Sequence, residues 1–210
     1  MEKYPFSLPE LKYEYSFLEP EISRETMKLH HSKHHKSYVE KLNEFVNGND
    51  FLMELPIDQL ISKKTLDELD DDLAQKIRDF GGGHMNHIMY FNMFEGGHKK
   101  VGKMLESLIK RDFGDFKTFE KEFKQKSQDH FGSGWCWLIL NKHGLKIKTT
   151  TNQDSPLNTE VCKVIMGVDL WEHSYYVDFR NRKKEYIDKI WEKINWRDLD
   201  NIILEAEYVK

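Results

Sequence analysis

The segment Gly167-Val168-Asp169-Leu170-Trp171-Glu172-His173-Ser174-Tyr175-Tyr176 sets two carboxylates and an imidazole among large aromatic side chains. Residues 161–168 run into it as a candidate strand, so the charges arrive at the end of an element meant for the interior. A charged group there is costly unless it is paired or bound to a metal. Aspartate and histidine are good ligands for ions such as iron and manganese. Glu172 also has a simpler reading, as one half of an ion pair.

Working outward from this segment, residues 135–140 read as a buried strand. Asn141-Lys142-His143-Gly144 suits a hairpin loop, and 145–151, alternating Lys with apolar positions, is its partner strand. Together with 161–168 they predict three strands. Trp135 and Trp137 in Gly132-Ser133-Gly134-Trp135-Cys136-Trp137 point the same way from a strand, which spacing alone explains as core packing. Asn152-Gln153-Asp154 follows the hairpin. Phe116, Phe119 and Phe123 share one face of a helix before the strands, and Ile187, Ile190, Trp191 and Ile194 share a face of a last one after them.

The other half reads as helical. Residues 1–19, with Pro5 and Pro9, form an irregular arm. A helix starts near Ser23, with Met27, His30, His31, His34, Tyr38, Leu42 and Phe45 recurring at three- and four-residue steps, and Asn47-Gly48-Asn49-Asp50 ends it. Residues 51–79 form a second helical region broken near Pro56, its acidic run 67–72 a solvated face. Gly81-Gly82-Gly83 interrupts the pattern, 84–94 resumes as helix, and Gly96-Gly97 ends it. This predicts an α+β chain with two domains, a helical 1–96 and an α/β 97–210.

Two histidine motifs stand on the helices. In Leu29-His30-His31-Ser32-Lys33-His34-His35, His30 and His34 share a face one turn apart. Such a cluster serves equally as a polar surface or as metal ligands. The presence of Met27 and Tyr38 on the same face predicts burial, and a buried imidazole needs a partner or a metal. In Gly81-Gly82-Gly83-His84-Met85-Asn86-His87 the glycines admit a close neighbour, although taken alone the motif is an ordinary helix entry.

Composition excludes several classes. The 210 residues carry 32% charged side chains and a net charge of −4, with Lys and Arg spread along the chain. That argues against a nucleic-acid surface, which needs a basic stripe. No apolar run approaches the ~20 residues that span a bilayer. Glutamates at 2, 10, 14, 19, 21 and 25 suit neither a transit nor a signal peptide, which predicts a cytoplasmic protein, or a mitochondrial one if a presequence was removed. Cys136 and Cys162 are far apart and read as reduced thiols.

Taken together, the motifs resemble the iron/manganese superoxide dismutase family nearly end to end, from Leu8-Pro9 and Leu18-Glu19-Pro20 to Ile194-Asn195-Trp196. Asp169-x-Trp171-Glu172-His173-x-Tyr175-Tyr176 is the most specific part. The resemblance implies an N-terminal helical hairpin, then a domain with a small three-stranded antiparallel sheet. It implies metal ligation by His30, His87, Asp169 and His173, with Tyr38, Trp135, Trp171 and Gln153 as the inner pocket and His34 and Tyr176 in an outer hydrogen-bond relay. Glu172 would reach His173 of a second subunit across a two-fold axis, and Tyr176 its His34, giving a homodimer or a homotetramer. The implied reaction is disproportionation of superoxide by one ion cycling between M(III) and M(II). Gly83 stands where iron enzymes of the family carry a glutamine and Gln153 where manganese enzymes do, which implies manganese, with iron as the alternative. Phe91, Cys136 and Lys183 depart from the family pattern, which has Trp, Gly and Arg there. A two-His, one-carboxylate iron oxygenase and a catalytically silent metal-binding protein are the competing readings.

Overall fold

The computed structural model describes residues 2–94 and 100–204. Gly96-Gly97, the expected helix stop and domain boundary, lies outside the described residues. The chain is α+β, with helices first and a three-stranded antiparallel sheet packed among helices after them.

Ser23 opens the first long helix, its hydroxyl accepting from Thr26 N at 3.1 Å and so satisfying an N–H that a helix start leaves free. α1 (Arg24–Leu29) passes through a π-helical turn (His30–His35) into α2 (Lys36–Val46). That wider turn corrects the even spacing read from the sequence, because one extra residue per turn rotates the histidines about the axis. His30, His31 and His35 become buried, Tyr38 half-buried and His34 exposed.

Four short helices follow: α3 (Asp50–Met53), α4 (Ile57–Leu60), α5 (Lys63–Asp67) and α6 (Asp71–Lys76). Asn49, Ser62 and Asp70 cap three of them, and Pro56 stands before α4. A second π-helical turn (Ile77–Gly81) joins α6 to α7 (Gly82–Asn92) without a break, so the three glycines do not interrupt the helix. They serve close approach instead: a Cβ on Gly82 would lie 2.2 Å from the Gln153 carbonyl oxygen, and one on Gly83 2.4 Å from the Tyr38 ring.

After α8 (Lys103–Phe113) and α9 (Phe116–Asp129) come β1 (Gly134–Asn141), β2 (Gly144–Thr151) and β3 (Lys163–Asp169), in the order β2-β1-β3. β1 is central and buried at every position, which is why it reads as a run rather than an alternation. β3 begins two residues later than expected. Its pairing with β1 starts at Leu140↔Lys163, and Val161 before it is 81% exposed. It ends on Asp169, opposite Trp135. α10 (Tyr176–Phe179), α11 (Lys183–Trp191) and α12 (Leu199–Leu204) complete the described chain.

One apolar cluster lies within the first helices, around Leu42, Leu60 and Ile77. A larger one runs from Met27 and Tyr90 through the sheet to Phe119, Phe123 and Trp191. It therefore joins the helical part to the sheet, and the functional side chains lie along that junction. No helix of the described residues is long and apolar enough to cross a membrane.

Candidate metal centre

Each of four elements delivers one donor to the junction. His30 comes from the first π-helical turn, His87 from α7, Asp169 from the end of β3, and His173 from the 3-10 turn Glu172–Ser174. Their donor atoms all lie within 4.8 Å of one another. Asp169 Oδ2 is 3.1 Å from His30 Nε2, 3.8 Å from His87 Nε2 and 3.0 Å from His173 Nε2. The side chains of His30, His87 and Asp169 are fully buried and that of His173 is 10% exposed.

The donors are held from behind. His87 Nδ1 lies 2.6 Å from the Gly83 carbonyl, to which only an Nδ1–H can donate, so Nε2 carries the lone pair. Asp169 Oδ1 accepts from Trp171 N at 2.9 Å, which leaves Oδ2 facing the imidazoles. The ring nitrogens of His30 and the Nε2 of His87 are buried with no hydrogen-bond partner. Orphaned buried polar atoms are rare and need an explanation. Three imidazoles and a carboxylate converging on one point, two of the imidazoles with unpartnered nitrogens, fit a first-row transition ion.

Electrostatics agree with that use. Burial pushes His30 down to about 4 and His87 well below the ordinary histidine range, so both rings are neutral and ready to donate lone pairs. Burial alone would raise Asp169, but the adjacent His173 and His30 outweigh it and hold the carboxyl below its usual range.

Around the donors stands a wall of aromatic rings. Trp135 meets His87 edge-on at 5.3 Å, Trp171 stacks on His173 at 5.5 Å, and His34 stacks on His173 at 4.3 Å. Phe91 packs against His30 at 5.0 Å. Gln153, 2% exposed, ties the wall together. Its Nε2 donates to Tyr38 Oη at 3.0 Å, and its Oε1 accepts from Trp135 Nε1 at 3.0 Å and from Asn86 Nδ2 at 3.3 Å. Burial pushes the Tyr38 hydroxyl up to about 12, against the pull of the Gln153 N–H.

The remaining expected residues fall elsewhere. Glu172 and Tyr176 are at the surface, Tyr176 46% exposed, and the single chain does not bring them into the cluster. Cys136 is a free thiol buried in the core, Sγ 3.9 Å from the Phe123 carbonyl oxygen. Lys183 is half-buried and donates to the His130 carbonyl at 2.9 Å. Sequence reasoning missed two residues. Asn86 also donates to the Gln153 backbone at 2.9 Å, and its signal was its place between the two histidines of the Gly-rich motif. Ser174 Oγ donates toward Asp169 O and Trp171 O at 3.1 and 2.7 Å, bracing the turn that carries His173.

Comparison with known proteins agrees. The model of the iron/manganese superoxide dismutase alpha-hairpin domain matches residues 5–95, and that of the iron/manganese superoxide dismutase C-terminal domain matches residues 101–202. The chain is 44% identical over 193 residues to "Superoxide dismutase [Mn]" of Listeria innocua, covering 91% of this chain and 94% of that protein. A second relative of the same name, from Listeria ivanovii, is 42% identical over 193 residues with the same coverage. With both domain models matched in order, and the four donors converging where the two matched regions meet, the chain belongs to the iron/manganese superoxide dismutase family.

Proposed function

We propose that the chain disproportionates superoxide to dioxygen and hydrogen peroxide, using one manganese ion held by His30, His87, Asp169 and His173. The observation that carries this reading is the cluster of four donors converging within 4.8 Å, in which the ring nitrogens of His30 and the Nε2 of His87 are buried with no hydrogen-bond partner. The ion, when bound, supplies the reversible one-electron step between M(III) and M(II).

The chain's own residues do the rest. Asp169 contributes one negative charge and the neutral imidazoles none, which favours the higher oxidation state without overcharging a dry site. The Gln153 amide, held by Trp135 and Asn86 at its oxygen, has its N–H group fixed toward Tyr38. With an ion held by the four donors, a hydrogen-bond donor fixed beside it would tune the potential. Tyr38 accepts from that amide and keeps its own proton at neutral pH, ready to be passed on. The rings of Trp135, Trp171 and Phe91 keep bulky reductants from the donors.

The position of Gln153 supports manganese. A glutamine at position 83 has no room in this chain, because the Tyr38 ring lies against the backbone there. The exposed Glu172 and Tyr176 fit a role across a two-fold axis, so the reading includes a homodimer, with a homotetramer as the larger option. It also includes the division into 1–96 and 97–210, each part giving two ligands. Of the competing readings, the oxygenase needs open positions, and His30 fills one of them.

The test is superoxide consumption by protein stripped and reloaded separately with manganese and iron. The manganese form should have the higher activity per bound metal. Higher activity with iron would overturn the metal assignment, and no consumption with either would overturn the function.

A further inference from the structure

Two buried histidines of the motifs take no part in the centre just described. His35 is 1% exposed and His84 fully buried, and His35 Nε2 lies 2.9 Å from His84 Nδ1. His84 Nε2 is buried with no hydrogen-bond partner, and the nearest charge to it is the Glu2 carboxylate, Oε2 at 3.7 Å. On its other side, His35 lies nearly parallel to His87, with ring centres 5.3 Å apart and planes 23° apart. A line of groups thus runs from the N-terminal arm to the back of a ligand histidine.

The arm is built to hold Glu2 in that place. Glu2 Oε1 accepts from Ser7 N at 2.7 Å and from Ser7 Oγ at 2.6 Å, which leaves Oε2 for His84. The Glu2 carbonyl accepts from Ile57 N at 3.1 Å. Phe6 N and O both bond the Asn43 amide at 2.8 Å, and the Phe6 ring packs edge-on against His84 at 5.8 Å.

We infer that Glu2 is a positioning residue for the metal centre, fixing through His84 the tautomer of His35, whose ring backs His87. The inference rests on the metal reading of the centre given above. The neutral pair can share its one hydrogen bond in two ways. In one, His35 Nε2–H donates to His84 Nδ1, and His84 Nε2–H faces Glu2. In the other, His84 Nδ1–H donates to His35 Nε2, and the remaining N–H is on His35 Nδ1, which is buried with no partner. Without Glu2 each arrangement leaves one buried N–H and one buried lone pair unanswered, so neither is favoured. With Glu2, a negative charge answers the N–H of the first. Leaving a buried donor unsatisfied is the expensive error, so the carboxylate selects the first arrangement. The His35 ring, held by that bond in either arrangement, then carries its N–H on Nε2 and its lone pair on Nδ1 beside the face of His87.

Two measurements on the full chain test this. Long-range proton–nitrogen spectra of histidine labelled with nitrogen-15, in protein free of paramagnetic metal, should show both His84 and His35 as Nε2–H. Glu2→Ala should give a mixture of tautomers at both rings, and Glu2→Gln, which keeps an acceptor oxygen, should restore the single form. Manganese affinity by chelator competition should fall about 3- to 10-fold in Glu2→Ala, less than for direct partners of ligands because the effect is relayed, and should recover in Glu2→Gln. A wild-type His84 in the Nδ1–H form, or tautomers or affinity unchanged in Glu2→Ala, would overturn the inference. A wild-type chain that binds no manganese would strike the metal reading instead, while the tautomers still report on the relay.

Discussion

Replacing Gln153 by Leu keeps most of the side-chain volume and removes every hydrogen bond of its amide. Trp135 Nε1 loses its acceptor at 3.0 Å in a fully buried position. Asn86 keeps the Gln153 backbone oxygen at 2.9 Å, and Tyr38 is only half-buried, so its hydroxyl can turn to water. The main cost is therefore one orphaned indole N–H, about 1–3 kcal/mol. For a chain of this length each kcal/mol moves the melting midpoint by roughly 2–4 °C, so the metal-free variant should melt about 2–12 °C lower. A second readout separates this from ordinary loosening. The Gln153 N–H pulls the Tyr38 hydroxyl down, so without it Tyr38 should ionise at still higher pH than its present value of about 12. Calorimetry and tyrosinate absorbance at alkaline pH, with Tyr38→Phe to assign the signal, measure both. A variant with an unchanged midpoint and an unchanged Tyr38 titration would refute the claim that this amide organises the pocket.

Asp169→Ala or His87→Ala should leave a folded chain with little bound metal and no dismutase activity, and full occupancy by metal analysis in either variant would contradict the ligand assignment. Glu172→Ala should weaken a two-fold dimer and lower activity together, by about 10- to 100-fold if it orients a ligand histidine of the other subunit. Sedimentation showing a monomeric, fully active wild type would exclude that role. Lys183→Ala should lower the rate at low ionic strength and flatten its salt dependence, since superoxide is an anion. Lys183→Arg should keep both, and an unchanged salt slope in Lys183→Ala would leave only the bond to His130 O for Lys183 to make.

The sequence made the sheet legible because β1 is buried on both faces and β2 alternates from Leu145 to Lys148, so burial and alternation are written directly into residues 134–148. The start of β3 was not legible, since Val161 and Cys162 are as strand-like as the residues after them. Only the place where β1 ends decides which of them finds a partner. The glycines at 81–83 misled for a similar reason. Glycine weakens a helix locally, and nothing local reveals that the Gln153 backbone and the Tyr38 ring press against those positions from distant parts of the chain. Both π-helical turns were also hidden, because a single wide turn leaves a three-and-four pattern almost intact over so short a span.

Those hidden features are the ones that build the centre. The first π turn carries His30, and the second turns straight into the helix that carries His87. Gly82 and Gly83 then let that helix come within contact of Gln153 and Tyr38, which closes the pocket over the donors. The candidate donors are local chemistry and can be read from motifs such as Asp169 to His173. Their convergence is a long-range property, set by how closely two backbones approach. A bulkier residue at position 82 would collide with the Gln153 carbonyl oxygen, and backbone can yield only by moving α7 or the β2 exit. Either movement separates donors that now lie within 4.8 Å of one another. The convergence of the four donors therefore depends as much on two side chains that are missing as on the four that are present.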